Sequence, residues 1–263
     1  MLKKHYLIIG GTRGIGREIA KTALKEEHIV SVIGRHAPKD SAKLAKITYY
    51  ICNITDTKVT NQTVTDIINK RGKISHLIFC QRFRGTDDHW QGEFDTSLTA
   101  TKNIIEYTMD KFDNTKEKSI ILISSIISNL VSLEQPASYH IAKAGINALT
   151  RYYAVILGPK GIRVNSILPG TTLKYESEDF YLNNKPLIAL YKQIIPLGRM
   201  GTSQDIANVV SFLCSEKSSF ITGQNIIVDG GLFIQNHEFL TRSLKSLVHP
   251  QTKKLERMKD VQK

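Results

Sequence analysis

Residues 5–27, HYLIIGGTRGIGREIAKTALKEE, decide how the chain folds. The apolar run Tyr6–Ile9 has the length of a buried strand, and Gly10 and Gly11 stop it. From Gly14 onward the apolar residues recur at helical spacing, so strand turns directly into helix. Gly10, Gly14 and Gly16 lie in that turn, spaced G-x-x-x-G-x-G rather than G-x-G-x-x-G. Glycine permits a tight turn and close backbone approach to a phosphate, and the helix N-terminus adds N–H groups and a positive dipole end. The same glycines would also serve helix–strand packing alone. Their place between strand and helix favours nucleotide binding, with Gly10, Thr12, Arg13, Gly14, Ile15 and Gly16 as candidate contacts.

Outward from this turn, strand and helix patterns alternate. HIVSVIG (28–34), ITYYI (47–51), HLIFC (76–80), SIILISS (119–125), IRVNSIL (162–168) and NIIVDGG (225–231) read as strands. Helical stretches at 55–72, 93–113, 137–158 and 203–214 lie between them. Such alternation means βαβ units and a parallel sheet with helices on both faces. The expected fold is α/β, a single doubly wound Rossmann-like domain over 1–234, followed by a basic C-terminal extension, 235–263.

Composition agrees with a globular chain: 263 residues, 41% apolar and 23% charged. Cys52, Cys80 and Cys214 show no CxxC spacing, which points to a reduced, cytoplasmic protein without disulfides or a metal site. The start, MLKKHYLIIGGTRGIG, is interrupted by glycines too soon for a secretory signal or a membrane span of ~20 apolar residues. A net charge of +12 invites a phosphate-rich partner, yet no block of five or six basic residues occurs. Dispersed surface lysines account for most of it, so neither nucleic acid nor membrane is expected as a partner.

The end of the second strand bears on cofactor choice. A carboxylate there would accept from a ribose 2'-hydroxyl and repel a 2'-phosphate. Here Gly34 is followed by Arg35 and His36, and Arg13 stands in the glycine turn. Two guanidiniums and no acid favour NADP(H).

The segments GGTRGIG, ILISS, SYHIAKAG, GIRVNSILPG and PLGRMGTSQDIANVVSFLCSEKSSFITGQNIIVDGG, in this order, resemble the short-chain dehydrogenase/reductase family up to residue 234. The resemblance implies seven parallel strands, a nicotinamide cofactor at their carboxyl ends, and hydride transfer to or from a carbonyl or alcohol carbon. It places the family's tyrosine on Tyr139, its lysine on Lys143 and its serine on Ser125, with Ser124 the neighbour that competes for the part. A phenol ordinarily ionises near pH ~10, and an ammonium close by favours the phenolate. By the same resemblance Tyr139 and Lys143 also touch the cofactor. Cys80 and Asn53 with Ile54 pass its adenosine end, and Pro169, Gly170 and Thr172 its nicotinamide.

Three departures stand out. The Asn-Asn-Ala-Gly usual after the fourth strand is Phe79-Cys80-Gln81-Arg82 here, and Arg82 and Arg84 are expected to pair with Asp87 and Asp88 or to meet an anionic substrate. The asparagine that helps hold a proton-relay water falls on Ser97, and an aspartate near the adenine becomes Asn53.

Residues 173–196, with Tyr175, Phe180, Tyr181, Leu187 and Tyr191, form a candidate lid that suggests an apolar or aromatic carbonyl or alcohol substrate. A 3-oxoacyl substrate is the commonest assignment for such sequences. Against it, Val155 stands where carrier-protein reductases tend to place an arginine, and its apolar run suits a homodimer or homotetramer. In the extension, Phe239, Leu240, Leu244 and Leu247 have helical spacing. The expectation is an NADPH-dependent oxidoreductase. The alternative is a catalytically weak nucleotide-binding regulatory or scaffold protein of the same fold.

Overall fold

The computed structural model describes residues 3–39, 44–86, 88–114 and 117–242 in full, with 243–248 as the end of a helix. The strands are β1 (His5–Ile9), β2 (Ile29–Gly34), β3 (Thr48–Ile51), β4 (His76–Phe79), β5 (Ser119–Ile123), β6 (Arg163–Pro169), the short β7 (Thr172–Leu173) and β8 (Gly201–Thr202), and β9 (Asn225–Val228). Seven of them make one parallel sheet in the order β3-β2-β1-β4-β5-β6-β9, while β7 and β8 pair separately. The expected doubly wound α/β architecture is therefore present.

Alternating side chains explain why each strand is apolar throughout. Leu7 and Ile9 face one layer, with Val64 and Ile67 of α2 (Thr57–Arg71), Ile104 and Ile105 of α4 (Ala100–Thr108), and Ile146 and Leu157 of α5 (Ala137–Leu157). Tyr6 and Ile8 face the other, with Ile19 and Ala23 of α1 (Gly14–Lys25) and Ile206 and Val210 of α8 (Ser203–Cys214). Both faces being covered, no strand position on β1 is left for a solvated side chain. The chain leaves β1 and β4 towards opposite faces, which opens a crevice at their carboxyl ends.

The helix expected over 93–113 has different bounds. It begins earlier as α3 (His89–Phe94), because Asp88 caps it by accepting from the N–H groups of Trp90 and Gln91. A π-helical turn at Asp95–Thr99 leads into α4, which ends at Thr108. Beyond it, Asp113 N–H donates to the Ile74 carbonyl and draws the chain towards the sheet. Residues 173–196 form α6 (Glu178–Leu182) and α7 (Lys185–Ile194) beyond β7. The extension carries α9 (His237–Val248). The side chains of Leu244 and Leu247 lie outside the described residues, as does the polar end of the chain.

Two histidines are buried in neighbouring strands. His5 Nε2 is 2.9 Å from Ser31 Oγ, and His76 Nδ1 is 2.8 Å from Ser119 Oγ. Burial pushes the His76 pKa well below the usual 6.5, so the folded state keeps the ring neutral. Below about pH 6.5 the unfolded chain binds a proton that the folded one refuses, so stability falls as pH falls. Each such proton gives a slope of about 1.4 kcal/mol per pH unit. Denaturant melts of wild type and His76→Leu between pH 7 and 5 should show the stability difference moving against wild type at about this slope. A pH-independent difference would mean that the buried ring charges freely.

Candidate active site

The turn after β1 is shaped by contacts that exclude side chains. Gly10 has φ +83°, and a Cβ there would stand 2.6 Å from the Gln81 nitrogen. A Cβ on Gly16 would stand 2.4 Å from the Gly10 carbonyl oxygen. Strand, turn and helix thus meet backbone to backbone, which leaves the α1 N-terminus facing the crevice. Its N-cap residue is Arg13, whose side chain makes no capping hydrogen bond. At the end of β2 a Cβ on Gly34 would lie 2.6 Å from Thr12 Cγ2, so a side chain there would have to displace Thr12, and Arg35 and His36 follow exposed. The residues present fit a dinucleotide carrying a 2'-phosphate: a glycine turn bordered by Arg13 and Arg35.

Not every expected contact offers a side chain. Ile54 is buried in the core and Ile15 packs on the α1 face, so either could meet a ligand only through its backbone. Asn53 is exposed, with its side-chain carbonyl accepting weakly from Thr55 N–H at 3.4 Å. The Cys80 Cβ packs beneath Gly16, and burial pushes the thiol pKa up to about 12, so it is no nucleophile. Pro169 closes β6, Gly170 N–H donates to the Val228 carbonyl, and Thr172 Oγ donates to the Gly170 carbonyl at 2.9 Å. Together these three form a turn beside the carboxyl end of β5.

Tyr139 and Lys143 lie one turn apart on α5. Lys143 is only 4% exposed, donates from Nζ to the Ile123 carbonyl at 3.0 Å, and forms no ion pair among the described residues. Its ammonium stands 5.5 Å from the centre of the Tyr139 ring. The two serines separate cleanly. Ser124 is buried and donates to the Lys143 carbonyl at 3.0 Å, tying α5 to the end of β5. Ser125 is half-buried, and its Oγ only accepts, from Ile127 N–H at 3.2 Å, so its proton is free to be donated.

Ser97 is not brought to this group. It is fully buried in the π-helical turn, its hydroxyl donates to Glu93 at 2.5 Å, and its carbonyl accepts from Thr101 Oγ. Gln81, in the departed loop, donates to Thr101 Oγ at 2.7 Å and so braces the same turn.

Arg82 and Arg84 do not pair with Asp88, whose carboxylate is taken by the α3 cap; Asp87 lies outside the described residues. Arg82 instead donates to Gln135 at 2.7 Å and sets its guanidinium 4.8 Å from the centre of the Tyr139 ring. The phenol ring therefore has two cations near it, and the approach of Arg82 is announced by no local sequence pattern, because residues 82 and 139 meet only through the sheet. Beside Tyr139 lies a cavity of about 380 Å³ lined by Arg82, Arg84, His89, Glu93, Glu134 and Gln135, among others. The lid aromatics do not line it: Tyr175 and Phe180 are 68% and 62% exposed. The wall beside Tyr139 is thus more charged than an apolar substrate would call for. Among the described residues no group of His, Cys, Asp and Glu is placed to hold a metal ion, and no helix is long and apolar enough to cross a membrane.

Residues 10–233 match the family model described as enoyl-(acyl carrier protein) reductase. The chain is 30% identical over 246 residues to the 3-oxoacyl-(acyl-carrier-protein) reductase FabG of Chlamydia pneumoniae, covering 88% of this chain and 98% of that protein. It is also similar to a short-chain dehydrogenase of Leptospira borgpetersenii solved with NAD+, at TM-score 0.75, 29% identity, and 89% and 94% coverage. ElxO solved with NADP matches at TM-score 0.77 and 25% identity, covering 89% of this chain and all (100%) of that one. The chain belongs to the short-chain dehydrogenase/reductase family.

The backbone contact at the turn makes a direct test. Gly16→Ala must push the Gly10 carbonyl out of place, so dinucleotide affinity measured by calorimetry should fall at least about 10-fold, together with ~1 kcal/mol or more of stability. Unchanged affinity would remove the turn from the binding site.

Proposed function

We propose that the protein is an NADP(H)-dependent oxidoreductase acting on a carbonyl or alcohol, with Tyr139 as the group that gives or takes the proton. The family is one of oxidoreductases. The observation that carries the reading is the buried Lys143 ammonium, without a carboxylate and beside a half-exposed tyrosine and an open serine at the carboxyl end of β5. Burying an unpaired charge is costly, and a solvated structural role would not require it. When bound, the cofactor supplies or accepts the hydride.

Each side chain then has a part. Ser125 Oγ donates to the substrate oxygen as charge gathers there. The Tyr139 hydroxyl delivers the proton to that oxygen in reduction and removes it in oxidation. The Arg82 guanidinium and the Lys143 ammonium stand 4.8 Å and 5.5 Å from the centre of the Tyr139 ring. Lys143 also offers Nζ donors to the nicotinamide ribose, while Ser124 holds its helix in register. Ser97 serves the helix, held by Glu93, and its proposed share in proton supply is indirect. For the cofactor, similar structures hold NADP in one case and NAD+ in another. Arg13, Arg35 and the closed space at Gly34 support NADP(H). The exposed Ile141, Tyr152, Val155 and Ile156 of α5 support an assembly of like chains.

Two measurements test this reading. With a panel of carbonyl compounds, Tyr139→Phe should slow NADPH oxidation about 10²–10⁴-fold while NADPH affinity stays within a factor of two or so. Equal, negligible turnover in both proteins with every compound would leave a nucleotide-binding protein without this chemistry. Separately, Arg35→Asp should move preference towards NADH by about one to two orders of magnitude, the worth of a charge-assisted hydrogen bond of ~1.5–3 kcal/mol. An unmoved ratio of kcat/KM values would place the 2'-phosphate elsewhere.

A further inference from the structure

The N-terminus of α1, where a dinucleotide's phosphates belong, already has an anion on it. Glu176 Oε1 accepts from Gly14 N–H at 3.0 Å. Its neighbours lean on the same turn. The Lys174 side chain lies where a Cβ on Gly14 would meet it at 3.7 Å, and the Tyr175 ring lies under the Arg17 guanidinium, 4.7 Å from it. Thus three consecutive residues after β7 close over the first turn of α1, although they are some 160 positions away in sequence. A short 3-10 turn at Tyr175–Ser177 presents the carboxylate, with Ser177 Oγ donating back to the Lys174 carbonyl.

The surroundings are those of a multiply charged anion. Arg84 is within electrostatic reach of Arg13, Arg35 and Arg82. Burial first and then Arg13 and Arg82 lower its pKa, and Glu176 opposes them. Lys174 is lowered first by burial and then by Arg82 and Arg84, again with Glu176 in opposition. Arg13, Arg35 and Arg82 thus lie within electrostatic reach of Arg84, and Arg82 and Arg84 within that of Lys174, with Glu176 the carboxylate felt by both Arg84 and Lys174. Among the described residues neither Arg82 nor Arg84 forms an ion pair. One negative charge leaves such a cluster mostly uncompensated, whereas a pyrophosphate with a 2'-phosphate would bring several.

We propose that Glu176 is an internal occupant of the phosphate turn: the cofactor binds by displacing it, and Arg84 and Lys174 then meet the cofactor's phosphates. The proposal rests on the NADP(H) reading above. Displacement removes the hydrogen bond that pins residues 174–177 to α1, so cofactor arrival also frees the approach to α6 and α7. Binding is consequently slower and weaker than an open turn would permit, and the lid segment responds to the cofactor before any substrate enters.

Stopped-flow and equilibrium fluorescence of NADPH with the full chain test this, without recourse to turnover. Wild type should show an observed binding rate that levels off at high NADPH, set by release of Glu176. Glu176→Gln should lose that plateau and bind NADPH about 10-fold more tightly. Glu176→Ala, which removes the side chain altogether, should behave likewise. Arg84→Met should weaken NADPH binding about 10-fold in the wild-type and Glu176→Gln backgrounds alike. If both Glu176 variants bind NADPH with wild-type affinity and kinetics, or more weakly, the proposal is overturned and the cofactor reading stands. If no form binds NADPH, the cofactor reading falls and the proposal with it.

Discussion

At the carboxyl end of β1 the backbones of Gly10, Gly16 and Gln81 pass so close that not one side-chain carbon fits between them. Everything functional in this chain is referred to that contact. It sets α1 hard against the sheet with its N-terminus at the crevice, and it brings the loop after β4 across the front of the turn. Because β1 lies between β2 and β4, the contact also fixes the distance from the turn to β5 and β6, whose ends carry Ser125 and the Pro169–Thr172 turn. A bulkier residue at either glycine would disturb all of these together.

The second organising feature is charge held without an acid to match it. Lys143 is buried against the Ile123 carbonyl, Arg82 stands over the phenol, and Arg13, Arg35, Arg84 and Lys174 border the crevice. Other basic residues do meet an acid, as Arg199 does with Asp205 at 2.8 Å and Lys102 with Glu106. The net charge of +12 alone could not have distinguished a basic crevice from a basic surface.

The departures from the family pattern acquire distinct physical meanings. Gln81 takes over the bracing of the loop through Thr101, so losing the small Asn-Asn-Ala-Gly turn does not collapse it. Arg82, where the family has glycine, adds a second cation near the tyrosine instead of pairing with Asp88. Ser97 keeps its place in a π-helical turn, an irregularity often found beside functional sites, yet its hydroxyl is spent on Glu93.

Strand and helix periodicity, the glycine turn and the ordered motifs determined the layered α/β fold, the Tyr139–Lys143 pairing and the absence of an acid after β2. Each of these is a local property, since apolar spacing, a missing side chain and an i, i+4 separation are all written in consecutive residues. The burial of Lys143, the cation over Tyr139 and the carboxylate on the α1 N-terminus were decided only by tertiary structure. They depend on which groups the sheet brings together from residues up to about 160 positions apart, and chain proximity carries no record of that.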